Sequence, residues 1–391
     1  MYEIGEEEIQ AIAQVIRSRQ LFRYPDSGRG ECAQFEAELC SKLNCRYALV
    51  VNSGTSALIC SLVAGGIGPG DEVIIPAFTF MATAAAVLAV GAVPIIAEID
   101  PTLTLDAADV ERKISPRTRA MILAHMCGLP CALDALAAIA SKHRIRIIED
   151  ACQSMGGSYR GRRLGSIGEI GAFSFNQFKI ISAGEGGAVV TNSRELYERA
   201  LIQHDGGVLF RQQAARLSVP VFAGANYRIS EITRAVLRVQ LNRLDGILYK
   251  LRERKEAAAT ILRGSAAFEL APVHCPEGEC GQVVILQVEA EKKMRRFLQK
   301  LLGQKIMAAT PIDSKGHVYA HWSPVLQQRA SNHPGRDAYH LTDTKYEYKK
   351  EMCPETLAIL SRTIVIPIEI NESLDQTRAR AVRIRHLAES L

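Results

Sequence analysis

The sequence has little of several things, and each shortage removes a class of function. It has no cysteine pair at CxxC spacing. Three of its close cysteine pairs are Cys40/Cys45, Cys127/Cys131 and Cys275/Cys280, and His125 and His274 stand beside two of them, but no set of four has the spacing of a zinc site. No metal is expected, and the thiols read as reduced and mostly buried. Concentrated charge is also missing. The net charge of +5 is spread over a chain of mixed signs, which sets nucleic acid aside as a partner. The most apolar stretches, such as MATAAAVLAVGAVPII, are short, carry proline and glycine and are followed by acidic residues, so no membrane span is expected. The opening MYEIGEEEIQAIAQVIRS has acidic residues where an export signal needs positive ones, and reads as an amphipathic helix. These shortages point to a cytoplasmic protein. Internal repeats and low-complexity tracts are absent too.

What is present is a 391-residue chain, enough for two or three packed units with a sizeable core. Its first half alternates short apolar runs with helical patterns. The strand candidates are YALVV (47–51), EVIIP (72–76), PIIAEI (94–99), RAMILAH (119–125), RIRIIED (144–150), GAFSF (171–175) and GAVVTN (187–192), with helical stretches such as SALICSLVAGG and LDALAAIASKH between them. That order predicts β-α-β units and an α/β fold with a mostly parallel sheet flanked by helices, whose ligands sit at the carboxyl ends of the strands. Near residue 240 the composition changes to a long charged amphipathic helix, followed by further strand and helix patterns. The expected division is a large domain over 1–244 and a smaller α+β domain over 245–391.

Three short stretches carry chemistry. NSGTSALICSL (52–62) follows a strand and opens a helix, so its free N–H groups suit an anion such as phosphate; a plain capped helix is the alternative. In RIRIIEDACQS, Asp150 ends an apolar strand, either facing the ligand crevice or capping a helix. In FSFNQFKIISAGEGG, Lys179 follows a strand bearing Ser174. A lysine in a partly dry site offers a free amine that attacks carbonyls; the alternative is a snorkelling surface lysine. In this order, a cradle, a strand-end aspartate and a half-buried lysine match what pyridoxal phosphate requires: a phosphate site, a partner for the pyridine nitrogen and an amine for the aldehyde.

The chain resembles the DegT/DnrJ/EryC1/StrS family of pyridoxal-phosphate sugar aminotransferases, within the aspartate-aminotransferase fold type. The resemblance covers most of the chain through NSGTSAL, GIGPGDEVIIPAFTFMATAAAVLAVGAVPIIAEID, IEDACQSMGGSYRGRRLGSIGEIGAFSFNQFK, GEGGAVVTN, GANYRISE and CPETLAILSRTIVIPI. It implies a large domain with a mostly parallel seven-stranded sheet of fold type I. It also implies that Lys179 is the Schiff-base lysine and proton shuttle, that Asp150 meets the pyridine nitrogen and that Gln153 lies near the ring hydroxyl. Phe80 would stack on the ring. Gly54, Thr55, Ser56 and Ser174 would hold the phosphate. Asn226 would reach the phosphate of a neighbouring subunit, implying a homodimer with shared sites. Arg228 and His204 are substrate candidates, with a structural ion pair as the alternative for Arg228. One branch of the family has histidine in place of the lysine and dehydrates its substrate; here the lysine is present.

The implied reaction moves an amino group from glutamate or glutamine to a keto sugar: a nucleotide-linked sugar, an ulosonate or an aminocyclitol precursor. A non-catalytic regulatory or scaffold protein of the same fold is a second reading, and another pyridoxal-phosphate reaction is a third. The segments 204–222 and 312–350, the latter with His317, His321, Lys345 and Lys349, are either walls of the acceptor pocket or solvated loops.

Overall fold

The computed structural model describes residues 3–24 and 30–390. Seven strands form the large sheet: β1 (Tyr47–Val51), β2 (Glu72–Pro76), β3 (Val93–Ala97), β4 (Thr118–Ala124), β5 (Arg146–Asp150), β6 (Ile170–Ser174) and β7 (Gly187–Thr191). All seven strand candidates are there, shifted by a residue or two at some ends. Their order across the sheet is β1-β7-β6-β5-β4-β2-β3, and β7 alone runs against its neighbours. β2, β6 and β7 are buried at every residue, as a sheet covered on both faces requires. The alternation of β1 shows how both faces are filled. Leu49 and Val51 pack into one core with the helix Gly54–Ala64, while Ala48 and Val50 pack into another with the helix Glu31–Leu43.

The expected boundary at 244/245 falls inside one unbroken helix, Glu231–Leu262. Leu237, Leu241 and Leu244 on its first half, and Leu251 and Leu262 on its second, belong to a single apolar cluster. That cluster also takes in Val284, Ile364 and Ile384. The small unit is a three-stranded antiparallel sheet of Glu269–Leu270, Val283–Gln287 and Thr363–Pro367, backed by the helices Glu291–Gly303 and Leu374–Glu389. The helix Glu6–Ser18 lies against the long helix, where Arg243 meets Glu7 and Glu8. Met1 and Tyr2, the start of the helix expected there, lie outside the described residues.

Most of 312–350 is a strap and not an open loop. Tyr319 and Tyr339 are buried, the Tyr346 hydroxyl donates to Glu72 at 2.9 Å, and the Tyr348 hydroxyl donates to the Pro94 carbonyl at 2.7 Å. The strap thereby covers the outer edge at β3, which would otherwise stand open. Among the described residues, no helix is long and apolar enough to cross a membrane, and no His/Cys/Asp/Glu group is placed to hold a metal ion.

Candidate active site

A cavity of about 440 Å³ opens at the carboxyl ends of β1, β4, β5 and β6. Its floor is the first turn of the helix Gly54–Ala64. Ser53 caps this helix from an extended backbone, its Oγ accepting the Ser56 N–H at 3.1 Å. The Gly54 and Thr55 amides precede any acceptor the helix can offer and face the cavity end. Glycine is required at 54: a Cβ there would lie 2.7 Å from Ser174 Cβ and 3.0 Å from Cys152 Sγ. Its absence brings the Ser174 hydroxyl of β6 beside the helix end. Ser56 departs from its expected place. It is not in the cavity wall, and its hydroxyl donates to Asn52 Oδ1 at 2.6 Å, because the capping turn needs both its amide and its side chain.

Asp150 ends β5 with its carboxylate in the cavity wall. No helix starts after it, so the capping alternative falls. Oδ2 accepts from the Thr83 hydroxyl at 2.9 Å and Oδ1 from the Cys152 N–H at 3.2 Å. Thr83 in turn contacts Thr79 at 2.9 Å. The sequence gives no sign of either threonine, since AFTFMAT shows no charge and no glycine to draw attention.

Glu149, the neighbour of Asp150, points to the other face of the sheet. It is fully buried and accepts from His125 Nε2 at 3.0 Å and from the amides of Gly165, Ile167 and Gly168 at 2.6–2.8 Å. His125 Nδ1 accepts from the Cys131 N–H at 3.2 Å, which puts the imidazole proton on Nε2. Burial works against the Glu149 carboxylate, but His125 and the backbone donors outweigh it and hold its pKa below the ordinary value. The His125 amide also donates to the Asp150 carbonyl at 3.1 Å, so the buried pair ties the ends of β4 and β5 together behind Asp150.

Lys179 sits in the turn after β6, its N–H donating to the Asn176 carbonyl at 3.1 Å. Its side chain is half-buried and lines the cavity, and its amine has no hydrogen bond or ion pair among the described residues. Gln153 lines the same cavity, its Oε1 accepting the Cys127 N–H at 3.1 Å. Phe80 forms a wall, its ring 5.3 Å from that of His317. His317 arrives on a segment laid along 78–81, where the Thr79 N–H donates to the His317 carbonyl at 3.0 Å and the Met81 N–H to the Gly316 carbonyl at 2.7 Å. Among the described residues it is the one member of 312–350 in the cavity wall. Burial and the nearby Lys179 charge lower its pKa, so the ring is neutral at neutral pH.

Besides Ser56, three expected residues stay outside the cavity wall of this chain. Asn226 is exposed, pairing through its backbone with Asp205. Arg228 forms an ion pair with Asp205, which Arg211 also holds at 2.8 Å; this is the structural alternative. His204 is fully buried at the end of the helix Arg194–His204, its Nδ1 donating to the Leu201 carbonyl at 2.7 Å. It is a core residue, a correction to its reading as a substrate contact.

Burial drives the His204 pKa down from 6.5 to about 3. Between those two values the unfolded chain carries a proton that the folded chain does not. Stability contributed by neutral His204 is complete above pH 6.5 and declines as pH falls toward 3. The full loss is roughly 4–5 kcal/mol, because each pH step between the two values costs about 1.4 kcal/mol. Urea unfolding from pH 7 to 4 should show this decline, and His204→Asn should flatten it. An equally steep decline in the variant would assign the acid sensitivity elsewhere.

Comparison with known proteins places these features in a family. Residues 2–382 match the family described as the DegT/DnrJ/EryC1/StrS aminotransferase family. GDP-perosamine synthase of Caulobacter vibrioides is 39% identical over 54% of this chain and 56% of its own length. L-glutamine:2-deoxy-scyllo-inosose aminotransferase of Micromonospora echinospora is 41% identical over 58% of this chain and 55% of its own. The chain thus spans just over half the length of these curated relatives. Among solved structures, S. venezuelae DesV in complex with a ketimine intermediate superposes with a TM-score of 0.79 at 30% identity, covering 98% of this chain and 94% of that one.

Proposed function

The chain belongs to the DegT/DnrJ/EryC1/StrS aminotransferase family, and from that premise we propose that it is a pyridoxal-phosphate-dependent aminotransferase acting on a keto sugar. One observation carries the reading: an unpartnered lysine amine, a strand-end carboxylate and a helix N-terminus with a serine hydroxyl share one cavity. These groups fit the cofactor. The Gly54 cradle, which a Cβ would fill, suits a phosphate. The carboxylate at Asp150 suits a protonated ring nitrogen. The distance between the two ends is spanned by a cavity walled on one side by the Phe80 ring.

When bound, the cofactor supplies an electron sink for the carbon next to the amino group. The protein's own residues do the rest. The Gly54 and Thr55 amides and the Ser174 hydroxyl bind the phosphate. Asp150, braced by Thr83 and the Cys152 amide, keeps the ring nitrogen protonated. Gln153 orients the ring hydroxyl, and Phe80 fixes the ring plane. Lys179 Nζ takes the proton from the donor's α-carbon and returns it, first in the donor half-reaction and then, in reverse, with the acceptor. Neutral His317 and the mouth of the cavity meet the acceptor.

Glutamate or glutamine is the donor in this reading, and a nucleotide-linked sugar, an ulosonate or an aminocyclitol precursor the acceptor. The names of the two curated relatives support a sugar or cyclitol. Asn226, exposed and outside this chain's cavity, serves the site of a second copy, in a homodimer of the cytoplasm.

The test is the absorbance spectrum of the purified protein before and after glutamate or glutamine. A visible band that the donor shifts, and that a keto-sugar acceptor restores, is the expected result. No band after pyridoxal phosphate is supplied would leave the scaffold reading in its place. A band that responds to amino acids without forming a keto acid would favour another reaction of the same cofactor.

A further inference from the structure

Arg234 is fully buried in the long helix, yet it has no ion pair among the described residues. Its Nη2 donates to two carbonyls, Val51 at 2.8 Å and Gly187 at 2.9 Å, while Nε and Nη1 have no acceptor. Around it stand the rings of Phe35 and Phe175, at 5.2 and 5.7 Å. The nearby carboxylates of Glu36 and Glu231 attract it without pairing with it. Glu36 is held by Arg23 at 2.6 Å, and Glu231 accepts the Cys32 N–H. Burial lowers the guanidinium pKa to about 10, which leaves it charged at neutral pH. A buried cation without an ion-pair partner is costly, and the two rings and two carbonyls offset only part of that cost.

Its two carbonyl partners identify the place. Val51 pairs with Gly187 at the last rung between β1 and β7, and Gly187 pairs on its other side with Ser174 of β6. Val51 leads through Asn52 into the Ser53 cap, and a Cβ on Gly187 would run into the Ser53 carbonyl and the Gly54 amide. The rung that Arg234 grips is therefore the base of the phosphate cradle.

We propose that Arg234 is a positioning residue for a phosphate dianion: a charge behind the cradle that acts through the rung Val51–Gly187–Ser174 and favours the dianion held by Gly54, Thr55 and Ser174. This rests on the pyridoxal-phosphate reading above. A charge buried behind the cradle is screened less than one in solvent, and the dianion adds a counter-charge to those of Glu36 and Glu231.

The test compares two probes, pyridoxal phosphate and phosphate-free pyridoxal, binding to the full chain by equilibrium dialysis. Arg234→Gln keeps donors for the two carbonyls and removes the charge. It should bind pyridoxal phosphate at least tenfold more weakly and pyridoxal within twofold of the unsubstituted chain. Arg234→Lys should restore most of the phosphate affinity. Should Arg234→Gln fail to fold, Arg234→Met, which fills the space without a buried donor, reads the same ratio. Equal weakening for both probes would make the residue merely structural and overturn the proposal, as would unchanged phosphate affinity. If the unsubstituted chain binds pyridoxal phosphate and only the ratio fails, the functional reading stands alone. If that chain binds neither probe, both fall.

Discussion

Lys179→Ala is expected to remove transamination, by a factor of about 10⁴ or more, while leaving the folded state in place. The size follows from the role proposed for it: the same amine would be both the covalent attachment point and the group that carries the proton, and proton transfer by a positioned group contributes about 10²–10⁴-fold by itself. The tolerance of the fold follows from the structure. The Lys179 amine has no partner to leave unsatisfied, and its turn is held by backbone bonds, Lys179 to Asn176 and Gln177 to Gly184. Substitution at a half-buried site without partners costs about 1 kcal/mol or less. Stopped assays with donor and acceptor, together with urea unfolding, check both halves. Turnover retained within tenfold would remove Lys179 from the chemistry. Lost turnover with a collapsed unfolding transition would show that the lysine is structural.

Asp150→Asn should slow the donor half-reaction by about 100-fold or more, equivalent to about 2.7 kcal/mol of barrier. The variant changes charge and almost nothing else. Asparagine keeps an oxygen for the Cys152 N–H, and the Thr83 hydroxyl can turn to accept where it now donates. What it cannot do is stabilise a protonated ring nitrogen by charge, so the electron sink is weakened at its source. Single-turnover mixing with glutamate, read by the change of the visible band, isolates this step from acceptor binding. A rate within threefold of the unsubstituted protein would mean that another group holds the nitrogen. The Thr83→Val variant offers a contrast, since it removes one hydrogen bond and leaves the carboxylate charge.

Much of the architecture was legible because its signals are local. β1 to β7 are short runs dense in Val, Ile, Leu and Ala, with turns between them, and periodicity finds such runs without any knowledge of their neighbours. The same holds for NSGTSA, where cap and glycine lie within three residues, and for Asp150 at a strand end. The boundary expected at 244/245 lies within the long helix read near residue 240, and the buried side of that helix, Glu231–Leu262, belongs to one apolar cluster along its length.

By itself, then, the sequence determined the strands, the helix that opens at Gly54 and the order in which cradle, carboxylate and lysine occur, since each depends on residues a few positions apart. Only the tertiary structure decided which side chains share the cavity. Thr83 reaches Asp150 across 67 positions, and His317 comes to Phe80 from the far side of the small unit's first strands. His204 and Arg228, the latter within the family-like GANYR, lie in the core and in an ion pair with Asp205. Arg234, which no local pattern sets apart, is a buried cation under the cradle. Burial and counter-charge are properties of packed surroundings, and those surroundings are assembled from residues distant along the chain.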